Sequence, residues 1–254
     1  MRNSTVAAPR GEPLSDVLDS QVTSAMSGHV GGPDVVSLVL VAVVGLVAGA
    51  LSPLVIGRLP DREAEDDRRM YAELAGLRGL PIMLGIVTAG LWLVLAAVRW
   101  PAPDLPAYLW LAWVGTAAAY IDLRENRLPD ILNLAAVLGV AGFLAIAAAL
   151  DDRWSDYGRA WLAGSAAVGV FLVLALLRSS GLGLGDVKLV GSLGIALGWE
   201  SWSTVVTGLF YGFVLAALVA VVLVISRRAD RHTALPFGPA LMLGTMVSVV
   251  LVSL

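Results

Sequence analysis

Long apolar runs separated by short polar segments make up almost all of the chain after residue 34. A run of roughly 18 to 20 apolar residues can cross a bilayer as an α-helix, whereas a membrane β-barrel would show short alternating segments. The pattern therefore predicts an all-α polytopic membrane protein with about eight transmembrane helices. The predicted apolar segments are Val35–Gly57, Leu80–Val98, Leu105–Ile121, Ile131–Leu150, Ala160–Leu177, Val187–Trp199, Ser203–Ser226 and Leu235–Leu254.

The sixth apolar segment, Val187–Trp199, is shorter than the others. About thirteen helical residues rise roughly 20 Å, which is less than a hydrocarbon core of about 30 Å. Two interpretations remain open for it. It is either a re-entrant segment or a full span whose polar entry, at Asp186, lies below the membrane surface.

Composition supports a membrane protein and narrows the chemistry. The chain is 58% hydrophobic and 15% charged, and a soluble domain would carry about 25% charged residues. The absence of cysteine excludes disulfides and thiolate metal sites. His29 and His232 lie far apart in sequence and near no acidic cluster, so no metal site is predicted. The lipid bilayer is an expected partner and nucleic acid is not.

The first 33 residues differ from the rest of the chain. They are polar, small and interrupted by glycine and proline, without the apolar core of a signal peptide. This composition predicts a disordered tail over residues 1–33 and a polytopic membrane domain over residues 34–254. Within that domain, residues 58–79 form a short loop, and its run "DREAEDDRRMYAEL" indicates a solvated segment with a short helix.

The distribution of basic residues predicts the orientation, because cytoplasmic loops carry an excess of lysine and arginine. With eight crossings, one side holds twelve basic residues and the other side, which includes both termini, holds five. We therefore expect loop 58–79 in the cytoplasm and both termini outside. The twelve are Arg58, Arg62, Arg68, Arg69, Arg78, Arg124, Arg127, Arg178, Lys188, Arg227, Arg228 and Arg231, and the five are Arg2, Arg10, Arg99, Arg153 and Arg159.

Four unusual polar motifs fall on this predicted cytoplasmic side. "GRLPDR" follows the first apolar segment, "DLRENRLPD" the third, "GLGDVK" precedes the sixth and "LPFGPA" enters the eighth. Asp122 opens the second motif and Asp186 lies in the third, so both acids are expected near the same membrane boundary. Four polar motifs on one face predict a functional site there.

Asp122 and Asp186 form a candidate catalytic pair. Ionisable residues at such depth are costly and usually face the bundle interior or a wet cavity. Two neighbouring carboxylates cannot both ionise readily, so the pair keeps one proton between them. One carboxylate can then take a proton from water while the protonated one polarises a peptide carbonyl. This chemistry needs no metal, cofactor, histidine or covalent nucleophile.

Simpler structural roles compete with this interpretation. Asp186 at a helix N-terminus could be only a cap, and Asp122 could end a span or pair with Arg124. Asp130 is best explained as a cap of the fourth segment. The stretch Pro236 to Pro239 could be only a proline-kinked helix entry.

The glycines beside Asp186 fit the catalytic interpretation. Gly183 and Gly185 permit positive φ and close backbone approach, so an extended substrate could pair with this strip. Lys188, the only lysine of the chain, lies two residues after Asp186. It could lower the pKa of that carboxyl or extend to the membrane interface.

Taken in order, the motifs resemble those of the prepilin peptidases, the type IV leader peptidase family of membrane aspartyl proteases. "GLGDVK" resembles the GxGD signature of the family, and "DLRENRLPD" resembles the segment that its other catalytic aspartate begins. "GALSPLVIGRLP", Gly49 to Pro60, is similar to the family's "GSFLNVVIYRLP", with Pro53 in place of the asparagine and Gly57 in place of the tyrosine. The framed "PFGP", Pro236, Phe237, Gly238 and Pro239, is also typical.

This resemblance implies a fold of eight spans and a role for each matching residue. Asp122 and Asp186 would be the catalytic dyad, with Gly183, Gly185, Lys188 and the "PFGP" residues in support. The substrate would be a prepilin or pseudopilin, cut on the cytoplasmic side of the plasma membrane before its hydrophobic helix.

One departure concerns a second activity of the family. Many members carry a cysteine-rich zinc module between the first two spans, and the long form methylates the new N-terminus with S-adenosylmethionine. Here that loop is short and has no cysteine. Proteolysis needs no cofactor, and the missing module argues against methyl transfer without excluding it.

Two other functions remain open at this point. A transporter or channel could use Asp122 and Asp186 to relay protons or bind a cation, although such acids would more naturally lie near mid-membrane. An inactive scaffold could bind pilins without cutting them. Neither the substrate, the residue before the cut, nor the oligomeric state follows from the sequence.

Overall fold

The computed structural model of this chain describes residues 32–59, 65–177, 183–225 and 236–254. The predicted tail falls almost entirely outside these ranges, as do His29, His232 and Pro60. The described ranges are helical. The helices are α1 (Val35–Ile56), α2 (Glu65–Ala75), α3 (Leu80–Arg99), α4 (Leu105–Glu125), α5 (Asp130–Asp151), α6 (Trp154–Leu177), α7 (Leu184–Glu200), α8 (Trp202–Ile225) and α9 (Phe237–Ser253).

This arrangement confirms the prediction of an all-α polytopic membrane protein. A helix occupies each of the eight predicted apolar segments, and α2 is the short helix expected in the loop 58–79. Among the described residues, five helices are long and apolar enough to cross a membrane: α1, α3, α5, α6 and the first 22 residues of α8. The crossing of α4, α7 and α9 stays a prediction.

Helix α7 corrects the sequence interpretation of the sixth segment. It begins at Leu184, three residues before the predicted start, and continues unbroken to Glu200. The start is earlier because an acid in the first turn suits the positive end of a helix, so Asp186 belongs to the helix. Its 17 residues rise about 26 Å, which is closer to a hydrocarbon core of about 30 Å than the predicted thirteen residues were. Whether α7 is a re-entrant segment or a full span stays open.

Helix α7 lies at the centre of the bundle. Almost every residue from Asp186 to Trp199 is buried, whereas α1 exposes many large apolar side chains. Along one face α7 packs antiparallel against α6 through small residues. A Cβ on Gly194 would lie 2.9 Å from the Cα of Gly164 and 3.1 Å from the Cβ of Ala167. Close approach of this kind is how helices associate in a medium that supplies no hydrophobic driving force between them.

Arg159 of α6 binds the C-terminal end of α7. Its guanidinium donates hydrogen bonds to the carbonyl oxygens of Gly198, Trp199 and Glu200, at 2.8, 2.6 and 2.9 Å. The last carbonyls of a helix have no partner within the helix. Arg159 therefore satisfies these groups and fixes the end of α7 opposite to Asp186.

The close α6–α7 contact predicts a specific sensitivity to added volume. Gly194→Ala should lower the free energy of unfolding by about 1–3 kcal/mol, because backbone of α6 cannot move aside easily. Gly169→Ala, on the same helix pair, is the matched control, since no atom lies within 4 Å of its Cβ position. That control should be neutral or slightly stabilising. Thermal unfolding in detergent measures both, and equal midpoints would contradict the packing described here.

Candidate active site

Helices α4 and α7 bring Asp122 and Asp186 together. Asp122 lies in the last turn of α4 and Asp186 in the first turn of α7. Both are buried, with relative exposures of 4% and 8%. They are near enough for the charge of Asp186 to act on the carboxyl group of Asp122. The structure thus places the two predicted acids in one buried pair at the same end of the bundle.

Each of these two carboxyl groups accepts one backbone hydrogen bond. Oδ2 of Asp122 accepts from the N–H of Gly238 at 3.1 Å, and Oδ2 of Asp186 accepts from the N–H of Gly183 at 3.2 Å. The second bond shows that Asp186 does cap α7, as the simpler interpretation proposed. In the described part of the chain, no donor reaches Oδ1 of either aspartate, so these oxygens are available to water.

The described residues give neither Asp122 nor Asp186 a cationic partner. The pair between Asp122 and Arg124 that the sequence left open is not formed, and Arg124 instead lies over the ring of Tyr120, 6.0 Å from its centroid. A buried carboxylate without a cation is costly to ionise. The lack of a cation therefore favours the condition that the proposed chemistry requires, which is one proton held between the two acids.

The "PFGP" segment contributes directly to the site. Pro236 is the N-cap of α9, and Phe237, Gly238 and Pro239 form its first turn. A Cβ on Gly238 would lie 2.8 Å from Oδ2 of Asp122, so only glycine permits this contact. The sequence suggested a supporting role for these residues but gave no sign that the amide of Gly238 binds Asp122, 116 positions away.

The two glycines before Asp186 have different roles. The sequence indicated that Gly183 and Gly185 permit a positive φ and a close backbone approach. Among the described glycines only Gly79 has a positive φ, and Gly183 has an extended backbone with φ −76°. This is because Gly183 occupies an ordinary N-cap position. Gly185 instead permits close approach, since a Cβ there would lie 2.9 Å from the Cβ of Leu128.

Asn133 is a residue of this region that the sequence analysis missed. Its Nδ2 donates to the carbonyl oxygen of Gly185 at 3.2 Å, which joins α5 to the start of α7. It is 3% exposed. The signal that could have found it was a lone asparagine in the apolar segment Ile131–Leu150, since buried amides usually have a specific partner.

Lys188 and Asp130 form an ion pair at the edge of the site. Nζ of Lys188 lies 2.6 Å from Oδ1 of Asp130, and both side chains are largely exposed. The prediction that Asp130 caps α5 is wrong, because the N-cap is Pro129 and Asp130 is the first residue of the helix. Lys188 thus pairs with Asp130 and with no other described carboxylate.

The described residues contain no group of three or more histidine, cysteine, aspartate or glutamate side chains that could hold a metal ion. His29 and His232 lie outside the described residues. What the site offers is a pair of buried carboxyl groups, each fixed by one backbone amide. A water molecule between them would meet both a proton acceptor and a proton donor.

Comparison with known proteins gives a consistent result. Residues 109–225 match the model of the type IV leader peptidase family. Three relatives share the name prepilin leader peptidase/N-methyltransferase. The protein of Aeromonas hydrophila is 29% identical over 63% of this chain and 54% of its own length. That of Pseudomonas aeruginosa is 30% identical over 53% and 46%, and that of Burkholderia pseudomallei is 34% identical over 50% and 40%.

The matched region includes both aspartates, and the family resemblance inferred from the motifs is confirmed. The chain spans about half the length of the curated relatives it matches. No solved structure matches it.

Because Asp122 and Asp186 have no described cationic partner, we expect that removing the charge of either one does not lower thermal stability. Asp122→Asn and Asp186→Asn should each unfold at or slightly above the parent temperature, because asparagine still accepts the backbone bond and the repulsion is removed. Asp104→Asn is the matched control, since Asp104 is 3% exposed but pairs with Arg99 at 2.7 Å. It should lose about 1.5–3 kcal/mol, because it weakens the charge-assisted hydrogen bonds to the buried Arg99 and leaves Glu200 as the described carboxylate that still pairs with it. Thermal unfolding in detergent compares the three variants, and destabilisation of the first two by a similar amount would contradict the description.

Proposed function

We propose, from the match of residues 109–225 to the model of the type IV leader peptidase family, that the chain is an intramembrane aspartyl endopeptidase that removes the leader from prepilin or pseudopilin precursors. The observation that carries the proposal is the buried pair of Asp122 and Asp186, which has no described cationic partner. The names of the relatives support the substrate class.

The two carboxyl groups would activate one water molecule. The ionised member of the pair takes a proton from the water as its oxygen attacks the scissile carbonyl carbon. The protonated member donates its proton to the carbonyl oxygen, which gives a neutral tetrahedral intermediate. When the C–N bond breaks, the leaving amine receives a proton from the carboxyl group that gained one from water. The intermediate returns the other proton, and the pair regains its single shared proton.

We place the active site on the cytoplasmic face of the plasma membrane, with both termini outside. The bias of basic residues supports this orientation. The position of the acids also favours a peptidase over a transporter, because both lie at helix ends and not at mid-helix. Cleavage at this face would act on a precursor whose hydrophobic helix is still in the bilayer.

We further propose that leader removal does not require methyl transfer from S-adenosylmethionine. The loop between the first two apolar segments is short and lacks cysteine, so it has no zinc module of the kind that accompanies methyl transfer in the long form of the family.

The dyad should behave as a single catalytic unit. Asp122→Asn and Asp186→Asn should each abolish cleavage, and the double variant should be no worse, because residues that act together are strongly non-additive. Asp130→Asn and Lys188→Arg are controls that should reduce cleavage by no more than about fivefold, since an exposed ion pair contributes at most about 1 kcal/mol. Mass spectrometry of a co-expressed prepilin measures the loss of the leader and shows whether the new N-terminus gains a methyl group. Cleavage at near the parent rate by a folded Asp186→Asn variant would refute the dyad.

The orientation predicts which turns an impermeant reagent can reach. Asn126 and Asp152 lie at opposite ends of α5, and both have left-handed backbone, with φ 50° and 53°. Cysteine introduced at either position meets the same mild strain, and the chain has no native cysteine. In intact cells the maleimide should label Asp152→Cys, and it should label Asn126→Cys only after permeabilisation. Labelling of Asn126→Cys from outside would overturn the proposed orientation.

A further inference from the structure

Leu128 contacts two glycines that adjoin the paired acids. It lies in the connection between α4 and α5, directly before Pro129, and its half-buried side chain packs against the core. A Cβ on Gly185 would lie 2.9 Å from the Cβ of Leu128, and one on Gly238 would lie 3.3 Å from its Cδ1. The two ends of this one side chain therefore lie against the first turns of α7 and α9.

Each of these glycines is linked to one member of the dyad. Gly185 immediately precedes Asp186, and the N–H of Gly238 donates to Oδ2 of Asp122 at 3.1 Å. A Cβ on Gly238 would lie 2.8 Å from that same oxygen, so Asp122 and Leu128 meet one face of Gly238. Packed contacts thus connect the two aspartates through the side chain of Leu128.

Asn133 holds Gly185 in place against Leu128. Its Nδ2 donates to the carbonyl oxygen of Gly185 at 3.2 Å, and the N–H of the same peptide group, which belongs to Asp186, donates to the carbonyl oxygen of Gly183 at 3.1 Å. The peptide group before Asp186 is therefore fixed from both sides. Oδ1 of Asn133 is buried without a partner among the described residues, so the bond to Gly185 is the one described hydrogen bond of this side chain.

We propose that Leu128 is a positioning residue of the dyad, and that its side chain sets the separation between Asp122 and Asp186. The inference rests on the proposed function, because this separation matters for a reaction in which both carboxyl groups act on one water molecule. Both groups must then lie within hydrogen-bond reach of that water. Neither Gly185 nor Gly238 has a side chain that could fix the spacing, and Leu128 is the residue that contacts both of them.

A series of substitutions at Leu128 tests this role in the purified full chain. Leu128→Met keeps a side chain long enough to reach Gly238, Leu128→Val removes both δ carbons, and Leu128→Ala leaves the Cβ alone. The kcat for leader removal should stay within about twofold for the methionine variant and fall about 10–100-fold for the alanine variant, because a misplacement of about 1 Å can lower a rate by about 10²-fold. The valine variant should lie between them.

The KM for precursor distinguishes positioning from direct binding of substrate. Leu128 also lines a groove between α5, α6 and α7, so the alternative is that its side chain touches the precursor. For a positioning residue, KM should stay within about twofold across the series while kcat falls. A rise in KM with kcat unchanged would assign Leu128 to substrate binding and overturn the proposal.

Leu209→Ala is the matched control for a loss of packing alone. Leu209 is also a half-buried leucine that packs against the core, but it lies on α8, which carries neither Asp122, Asp186 nor Gly238. Thermal unfolding should show a loss of stability in both alanine variants, and the kcat of Leu209→Ala should stay within about twofold of the parent. An equal fall in kcat for both would mean that Leu128 acts only through stability, and the proposal would fail.

The remaining outcomes separate this role from the proposed function. If Leu128→Ala does not yield folded protein, Leu128→Val decides by the same criteria, because it removes less volume. If the parent cleaves the precursor and the series leaves kcat unchanged, the peptidase stands and the positioning role of Leu128 is wrong. If the parent cleaves no precursor, both fall together.

Discussion

The hydrogen bonds of the Arg99 guanidinium group are the contacts on which the geometry of this bundle depends. It donates to both carboxylate oxygens of Asp104, at 3.2 and 2.7 Å, to Glu200 at 2.6 Å and to the hydroxyl of Ser253 at 2.8 Å. Asp104 also accepts from Trp199, and Glu200 from Tyr108. The Arg99 side chain is 8% exposed. Buried ion pairs do not always stabilise a fold more than apolar contacts would. Each of these hydrogen bonds, however, can form at only one relative position of the helices.

The consequence appears at the opposite end of the bundle. Arg99 joins the start of α4 to the ends of α7 and α9, and these same three helices carry Asp122, Asp186 and Gly238 at their other ends. Hydrogen-bonded helices are stiff along their axes, so fixing one end of a helix also fixes the position of its other end along the bundle axis. Arg159 adds a second constraint on α7, and the glycine contact with α6 sets its separation from that helix. Asp122, Asp186 and Gly238 of the candidate active site are thereby positioned by one distant cluster of hydrogen bonds.

How much of this structure the sequence could predict depends on how far apart in sequence the interacting residues lie. Apolar runs are local patterns, so the helices could be located, and the motifs around Asp122 and Asp186 indicated the dyad. Arg99 appeared only as a basic residue at a membrane boundary, because two of its partners, Glu200 and Ser253, lie 101 and 154 positions away. The contact between Gly238 and Asp122 and the orphaned oxygen of Asn133 likewise depend on how helices pack. Local pattern also could not say which backbone conformation Gly183 adopts, since glycine permits a positive φ without requiring it.

Among the described residues, three aspartates are buried, and they have two different roles. Asp104 is matched by Arg99 in a buried ion pair that holds helices together. Asp122 and Asp186 receive only backbone amides among the described donors, which fix their positions without supplying a positive charge. A cation beside Asp122 and Asp186 would favour two ionised carboxylates and so remove the shared proton that the proposed water activation needs. The ion pair between Lys188 and Asp130, at the exposed edge of the site, is consistent with that requirement. Lys188 is the only lysine of the chain, and it forms no described bond to Asp122 or Asp186.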